Sequence, residues 1–391
     1  MDAFHDRAWV QIDLDNIAHN INEIRRLTEK KCEIIGVVKA DAYGHGVGGI
    51  LPTLLGNGVR KLAVSMIDEA IQLRQCGVNV PILILSYTDP ERAREVVKYN
   101  LTQTVYSINL ALALSETAVS FNREVKIHVK VDTGMSRIGF PAGYAAIKDI
   151  AKIGALPGIT IEGIFTHFAS ADEMDRSYTL TQFERLMSIC TELARIGVYI
   201  PVKHACNSAG IIGYPEMHLD AVRPGIIMYG HYPSKEAENA GKLKLKPAMT
   251  FKASVIQVKE VDKNTYVSYG RTFKTNRVTK LATIPVGYAD GYPRCIGSKG
   301  RVIINGEYAP IVGRICMDQC IVDVTDIEKG VRTGDEAVIF GTQQDKQITV
   351  EEVAANAGTI NYETVCVVGR RIPRVYIKDG KIQKVRKYLF S

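Results

Sequence analysis

Eight short apolar runs, each parted from the next by a helix-like stretch, occupy about the first 230 residues. This alternation restricts that part of the chain to a parallel sheet built from βαβ units. The runs are 33–38, 61–65, 82–86, 102–106, 125–131, 161–167, 202–205 and 219–223. Eight is the strand count of a TIM-type barrel, and their spacing suits one barrel. Helix-like segments at 14–28, 65–75, 90–99, 107–118 and 177–196 are flanked by capping residues. After Tyr232 the texture changes, and from Met249 short β-branched runs separated by Asn-Gly, Asp-Gly and Thr-Gly turns dominate, with helical periodicity nearly absent. The expected fold class is α/β: an N-terminal (β/α)8 TIM-type barrel with a C-terminal mostly antiparallel β-domain. Ala8–Ile12 reads as an extra strand with no place in the count of eight. The expected division is therefore 1–12 as an N-terminal strand pairing with the β-domain, 13–240 as the barrel and 241–391 as the β-domain.

Composition excludes several classes. The 46% hydrophobic and 23% charged residues are those of a globular chain with a sizeable core. No apolar run reaches the roughly 18 residues of a membrane span, and the first residues lack the apolar stretch of a signal peptide, so a cytoplasmic protein is expected. The 49 basic and 42 acidic residues leave a net charge of +7, scattered along the chain, which argues against a nucleic-acid surface. The basic stretch 378–387 alternates like a solvated edge strand. The eight cysteines form no C-x-x-C pair, and Cys316 and Cys320 have no nearby histidines, so no metal site is expected.

In a barrel of this kind reactive groups sit at the C-terminal ends of strands. Lys39 closes the first run, where an amine can form a Schiff base or simply extend into solvent. Residues 125–132 alternate strictly; with the apolar face toward the helices, His128, Lys130 and Asp132 point into the lumen. Arg137 follows in a glycine-bracketed loop, His167 closes the sixth run and Arg223 the eighth. Each could equally be half of a structural ion pair. Asn207-Ser208-Ala209-Gly210 and Pro224-Gly225-Ile226 offer the backbone donors of a phosphate seat after the seventh and eighth strands. A Schiff-base lysine with a phosphate seat suggests pyridoxal phosphate, although a phosphosugar aldolase would use the same parts. Tyr269, Tyr288 and Tyr362 recur in polar clusters of the β-domain, where plugging a surface cleft is the plainer role.

These segments together resemble the alanine racemase family over nearly the whole chain. The resemblance is carried by Val37-Val-Lys-Ala-Asp-Ala-Tyr-Gly-His-Gly46, Lys130-Val-Asp-Thr-Gly-Met135, Gly163-Ile-Phe-Thr-His-Phe168, Asn207-Ser208, Arg223-Pro-Gly-Ile226, Val267-Ser-Tyr-Gly270, Ile284 to Gly291, Cys316-Met-Asp318 and Ile360-Asn-Tyr362. It implies an isomerase that uses pyridoxal 5'-phosphate to interconvert L- and D-alanine, the D-isomer serving peptidoglycan. Lys39 would hold the cofactor and act as base toward D-alanine, with Tyr269 the base toward L-alanine. Tyr43, Asn207, Ser208, Gly225, Ile226 and Tyr362 would bind the cofactor, most of them at its phosphate. Arg223 would face the ring nitrogen, with His167 linking it to Tyr269. Arg137 would meet the phenolic oxygen and the substrate carboxylate, which Met317 would also contact. Lys130 would be the lysine that carries a carbamate in many members. Asp172, Tyr288, Arg294 and Arg314 would line the entrance. Tyr269, Tyr288 and Met317 would come from the partner of a homodimer with shared sites. Ser136 departs from the glycine common at its position. A serine or broad-specificity racemase, a non-catalytic cofactor carrier and a basic amino-acid decarboxylase are the competing readings. The carrier would lack a counterpart of Val267–Gly270, and the decarboxylases usually place a carboxylate where this chain has Arg223.

Overall fold

The structure is a computed structural model that describes residues 4–390, and the chain divides into two compact units. The larger consists of residues 17–42 and 51–246; the other gathers residues 4–16, 43–50 and 247–390. Strand β1 (Ala8–Asp13) belongs to the smaller unit.

In the larger unit, β2 (Glu33–Val37), β3 (Lys61–Val64), β4 (Ile82–Ile84), β5 (Thr102–Val105) and β6 (Val125–Asp132) are followed by the two-residue β7 (Phe140–Pro141), which pairs with β6. Then come β8 (Ile159–Phe165), β9 (Val202–His204) and β10 (Ala221–Val222). Without β7 the eight strands run parallel in the order β10-β2-β3-β4-β5-β6-β8-β9. Two backbone bonds span the remaining gap: Asp220 N–H to Lys203 O at 3.1 Å and Arg223 N–H to Cys206 O at 3.0 Å. The result is the eight-strand parallel barrel expected from the count. Helices pack outside it for ordinary reasons. In Ile108–Ser120 the Ser107 hydroxyl accepts from Leu110 N–H and starts the helix, while Leu110, Ala111, Leu114 and Ala118 recur at helical spacing and are buried. Burying one leucine there contributes roughly 2 kcal/mol.

The smaller unit is mostly antiparallel. β1 lies between β11 (Met249–Ser254), its antiparallel neighbour, and the parallel strand Arg374–Lys378. Strand Lys381–Arg386 forms the exposed basic edge of that sheet. A second sheet holds Gln257–Val261, Thr279–Ile284 and Cys320–Asp323. Residues 43–50 join this unit because Arg374 donates to Gly44 O at 3.0 Å and the Tyr376 hydroxyl to Gly46 O at 3.1 Å. The Tyr376 ring leaves no room for a side chain at Gly49, where a Cβ would lie 2.0 Å from it. Two helices, Val350–Ala357 and Asn361–Cys366, escape the sequence reading because each is too short for its periodicity to register. No helix among the described residues is long and apolar enough to cross a membrane.

Candidate active site

Lys39 sits two residues beyond β2, at the C-terminal end of the barrel strands. The chain then makes a left-handed turn: Ala40, Asp41, Ala42 and Tyr43 have φ of 53°, 52°, 56° and 54°. Such a conformation costs an L-residue about 1–2 kcal/mol, and four in succession need support from outside the turn. Glu69 provides part of it, accepting from Ala40 N–H at 2.6 Å with one oxygen and from Ser65 N–H at 2.7 Å with the other. The loops after β2 and β3 are thereby fastened together at the residue that follows the lysine.

Arg223, just beyond β10, is buried. Its Nη1 donates to His204 Nδ1 at 2.6 Å, and its Nη2 donates to the carbonyls of Thr166 and Ala205, each at 2.8 Å. None of these acceptors engages Nε. Burial holds its pKa down to about 10. Lys130 is buried beside it, 5.2 Å above the Phe165 ring, and donates to Val131 O at 3.1 Å. Burial first, and then the Arg223 charge, push its pKa down to about 7. His167 lies well below the ordinary histidine value through burial and the charges of Arg223, Lys130, Arg137 and Lys39. The structure thus brings five of the expected residues, Lys39, Lys130, Arg137, His167 and Arg223, into one electrostatic neighbourhood.

Arg137 rides on a loop built by Asp132, whose Oδ1 accepts from the N–H groups of Gly134 and Ser136, both at 3.0 Å. Tyr178 and Arg185, from helix Ser177–Arg195, donate to the carbonyls of Gly134 and Thr133 at 2.7 and 2.8 Å and pin its base. Ser136 has φ +56°, the left-handed region that glycine enters more easily, which gives its departure from the common glycine a physical meaning. The loops after β9 and β10 meet where the buried Ser208 hydroxyl accepts from Gly225 N–H at 3.0 Å. Asn207 caps helix Ser208–Gly213 by accepting from Gly210 N–H at 2.9 Å, and Ile226 opens a buried 3-10 turn. Asp172 is exposed, its carbonyl accepting from Ser234 Oγ.

In the smaller unit, Tyr269 and Met317 line an open cleft of about 450 Å³ with Ser268, Cys316, Asp318 and Gln319. Tyr288 adjoins it, since its N–H donates to Cys316 O at 3.1 Å. Gly287 permits that approach: a Cβ there would lie 2.3 Å from the carbonyl oxygens of Cys316 and Met317. Arg314 accepts the Ser268 hydroxyl at its carbonyl, and the turn that begins at Arg294 abuts it through Gly297. Tyr43 and Tyr362 meet separately, with ring centroids 6.2 Å apart, and burial raises the Tyr43 hydroxyl pKa far above its usual value. The sequence reading missed the supports. Asp290, fully buried, pairs with Arg7 and Arg371, and Arg371 reaches Asp318 at 2.7 Å, tying the Tyr288 loop to the Met317 loop. His204 and Glu162 were likewise missed; His204 ends a short strand, where a closing polar residue is a usable signal.

A parallel barrel with a cation-lined mouth, carried in one chain with an antiparallel unit rich in tyrosine loops, defines a two-unit barrel enzyme. Comparison with known proteins narrows the class. Residues 12–233 match the alanine racemase N-terminal domain and residues 248–376 the alanine racemase C-terminal domain. An alanine racemase of Clostridium tetani is 50% identical over 382 residues, 97% of this chain and 98% of that protein. The structure of an alanine racemase from Clostridium difficile 630 superposes with a TM-score of 0.94 at 40% identity, covering 99% of this chain and 100% of that one. An alanine racemase from Bacillus anthracis with bound L-Ala-P gives a TM-score of 0.94 at 34% identity, covering 99% of each chain. The chain belongs to the alanine racemase family.

Proposed function

We infer that this protein is an isomerase that interconverts L- and D-alanine, with pyridoxal 5'-phosphate as cofactor, and supplies D-alanine for peptidoglycan. The observation that carries the reading is the set of three cationic side chains, Arg223, Arg137 and Lys39, whose charges press on buried His167, with Lys130 buried beside Arg223. Such a mouth calls for anionic groups, and a phosphate, a phenolic oxygen and a substrate carboxylate are three of them. The donor set fits the cofactor. Lys39 offers an amine for its carbonyl carbon, Arg223 offers Nε to its ring nitrogen, and Ser208, Gly225 and Ile226 offer a seat for its phosphate, with Asn207 holding that turn. The roles of Tyr43 and Tyr362 as further phosphate contacts rest on the family resemblance alone. When bound, pyridoxal phosphate would acidify the α-C–H of an amino acid by drawing the electrons left at Cα into its ring.

The chain's own groups would move the proton. Lys39, as its free amine, takes it from the D-isomer on one face, and Tyr269, as its phenolate, takes it from the L-isomer on the other. His167, held neutral, donates a hydrogen bond to that oxygen and stabilises its ionised form. Arg137 and the Met317 backbone N–H orient the substrate carboxylate, and Lys130, as a carbamate, would hold Arg137. Asp172, Tyr288, Arg294 and Arg314 select what enters. Tyr269 is 67% exposed, Met317 52% and Tyr288 43%, which supports a homodimer in which a second copy covers them and shares them with its own barrel. The eight cysteines form no disulfide, in keeping with a reducing, cytoplasmic setting. The test is the optical rotation of L-alanine with purified protein and added pyridoxal phosphate. Decay to zero with the wild type and none with Lys39→Ala is expected; a wild type that leaves the rotation unchanged refutes the reading.

A further inference from the structure

A TIM-type barrel is ordinarily filled by layers of branched apolar side chains. Here a polar file crosses the core instead. Arg223 Nη1 meets His204 Nδ1 at 2.6 Å, His204 Nε2 meets His128 Nδ1 at 2.8 Å, and His128 Nε2 meets Glu162 Oε2 at 3.2 Å. Both imidazoles and the guanidinium are buried, whereas Glu162, farther down β8, keeps 14% of its side chain exposed beside Lys61 and Lys126. The backbone is shaped for this file. Residues 161 and 163 of β8 pair with consecutive residues 127 and 128 of β6, so Glu162 is the extra residue of a bulge, a device that re-aims a side chain. Gly163 stands opposite His128 because a Cβ there would come within 2.6 Å of its ring.

The ends of the file dictate its polarity. Arginine only donates and a carboxylate only accepts. His204 Nδ1 must therefore accept, its Nε2–H must donate to His128 Nδ1, and His128 Nε2–H must donate to Glu162. Burial keeps both rings neutral, in His128 against the pull of Glu162 and in His204 together with the Arg223 charge. The arginine is thus oriented without a carboxylate in contact, which leaves its charge undiminished for whatever lies above. We propose that Glu162 is a positioning residue for Arg223, acting across the barrel core through His128 and His204, each held in a single neutral tautomer. The inference rests on the reading of Arg223 as the residue that faces the cofactor.

The test uses the holoenzyme labelled with nitrogen-15 at histidine. His128 and His204 should both show a protonated Nε2 and an unprotonated Nδ1 that do not titrate between pH 6 and 9 (about the range of turnover assays). Glu162→Gln should shift the His128 Nε2–H signal and lower kcat about tenfold, the scale of lost supporting contacts, with KM for alanine within about twofold. Lys126→Met, which removes a partner of Glu162 outside the file, should leave both signals and kcat unchanged. His128→Leu should lower kcat at least as much as Glu162→Gln, and His128→Gln, whose amide can accept from His204 and donate to Glu162, should restore it to within about threefold. Wild-type kcat and signals in Glu162→Gln, equal losses in the two His128 variants, or a loss in Lys126→Met matching that of Glu162→Gln would each overturn the inference. Arg223→Lys separates it from the reading beneath. Altered cofactor absorbance and turnover there, with Glu162→Gln unaffected, sinks the inference alone; an unaltered Arg223→Lys sinks both.

Discussion

Gly163→Ala should be among the most damaging single-methyl additions in the barrel. The added Cβ would lie 2.6 Å from Cε1 and Nδ1 of His128 and 2.9 Å from its Cγ. Carbon contacts settle at about 3.5–4.0 Å, so the ring must retreat by about 1 Å. Retreat breaks what the ring makes, since bonds of 2.8 Å to His204 and 3.2 Å to Glu162 stretched by that amount fall outside hydrogen-bonding range. Overpacking costs about 1–3 kcal/mol and each buried polar group left unpaired about 1–3 kcal/mol, so a total near 4 kcal/mol is expected. For a barrel of this size that corresponds to roughly 8–16 °C in Tm. Thermal unfolding followed by circular dichroism reads it, with Gly56→Ala as control because nothing lies within 4 Å of the Cβ added there. In a His128→Ala background the same substitution should cost far less, because the obstructing ring is gone. A fall of less than about 2 °C for Gly163→Ala, or a full fall in the His128→Ala background, would refute the clash as the cause.

Tyr269→Phe should keep pyridoxal phosphate binding but lose α-proton exchange from L-alanine more than from D-alanine in deuterated water; equal losses count against two bases. Mixing refolded Lys39→Ala with Tyr269→Phe should recover about a quarter of wild-type turnover if partners share sites, since half the dimers are mixed and half their sites intact; no recovery argues for sites within one copy. Lys130 has its pKa held down to about 7 from 10.5, so below about pH 7 the folded protein bears the whole burial penalty of a charged amine. Between about 7 and 10.5 the unfolded chain binds the extra proton, so stability should rise with pH across that window in carbon-dioxide-free buffer; Lys130→Met should be flat there, and a parallel rise in the variant would refute it. Ser136→Gly should raise Tm by about 1–2 °C, relief of the left-handed φ outweighing the greater entropy of unfolded glycine, with turnover unchanged; a fall in Tm would show the serine to be held by contacts of its own.

What could be read in the sequence was what a local pattern encodes. Strand β6 alternates so strictly that the lumen placement of His128 and Lys130 follows from the pleat, and both are buried there against His204 and Phe165. Glu162 was invisible for the complementary reason: the bulge breaks the period of two on which that inference depends, and nothing in Ile159–Phe165 announces it. Asp290 is a similar case. It sits in Gly-Tyr-Ala-Asp-Gly, which reads as a surface turn, yet it is fully buried because Arg7 and Arg371, hundreds and tens of residues away along the chain, converge on it. Ion pairs between distant segments have no periodicity to betray them. The helix Asn361–Cys366, which carries Tyr362, was hidden by its six-residue length.

The two missed carboxylates have one physical role in common. Neither is itself one of the reactive residues of its unit: half-buried Glu162 ends the file from Arg223, and fully buried Asp290 joins the loops of Tyr288 and Met317. A buried pair contributes little net stability compared with an apolar replacement, whereas removing one partner costs about 3–5 kcal/mol. Such groups are therefore poor choices for holding a fold together and good choices for holding one geometry. Asp290 makes the argument testable without any assay of turnover. Asp290→Ala should lower Tm, because Arg7 is left with Pro285 O alone and Arg371 with Asp318 alone, and it should also free the Tyr288 and Met317 loops, read as faster amide exchange at Gly287 and Tyr288. Replacing Arg7, Asp290 and Arg371 together with apolar residues should restore much of the Tm but not the slow exchange. If exchange recovers along with Tm, the network serves stability after all, and the distinction drawn from burial fails.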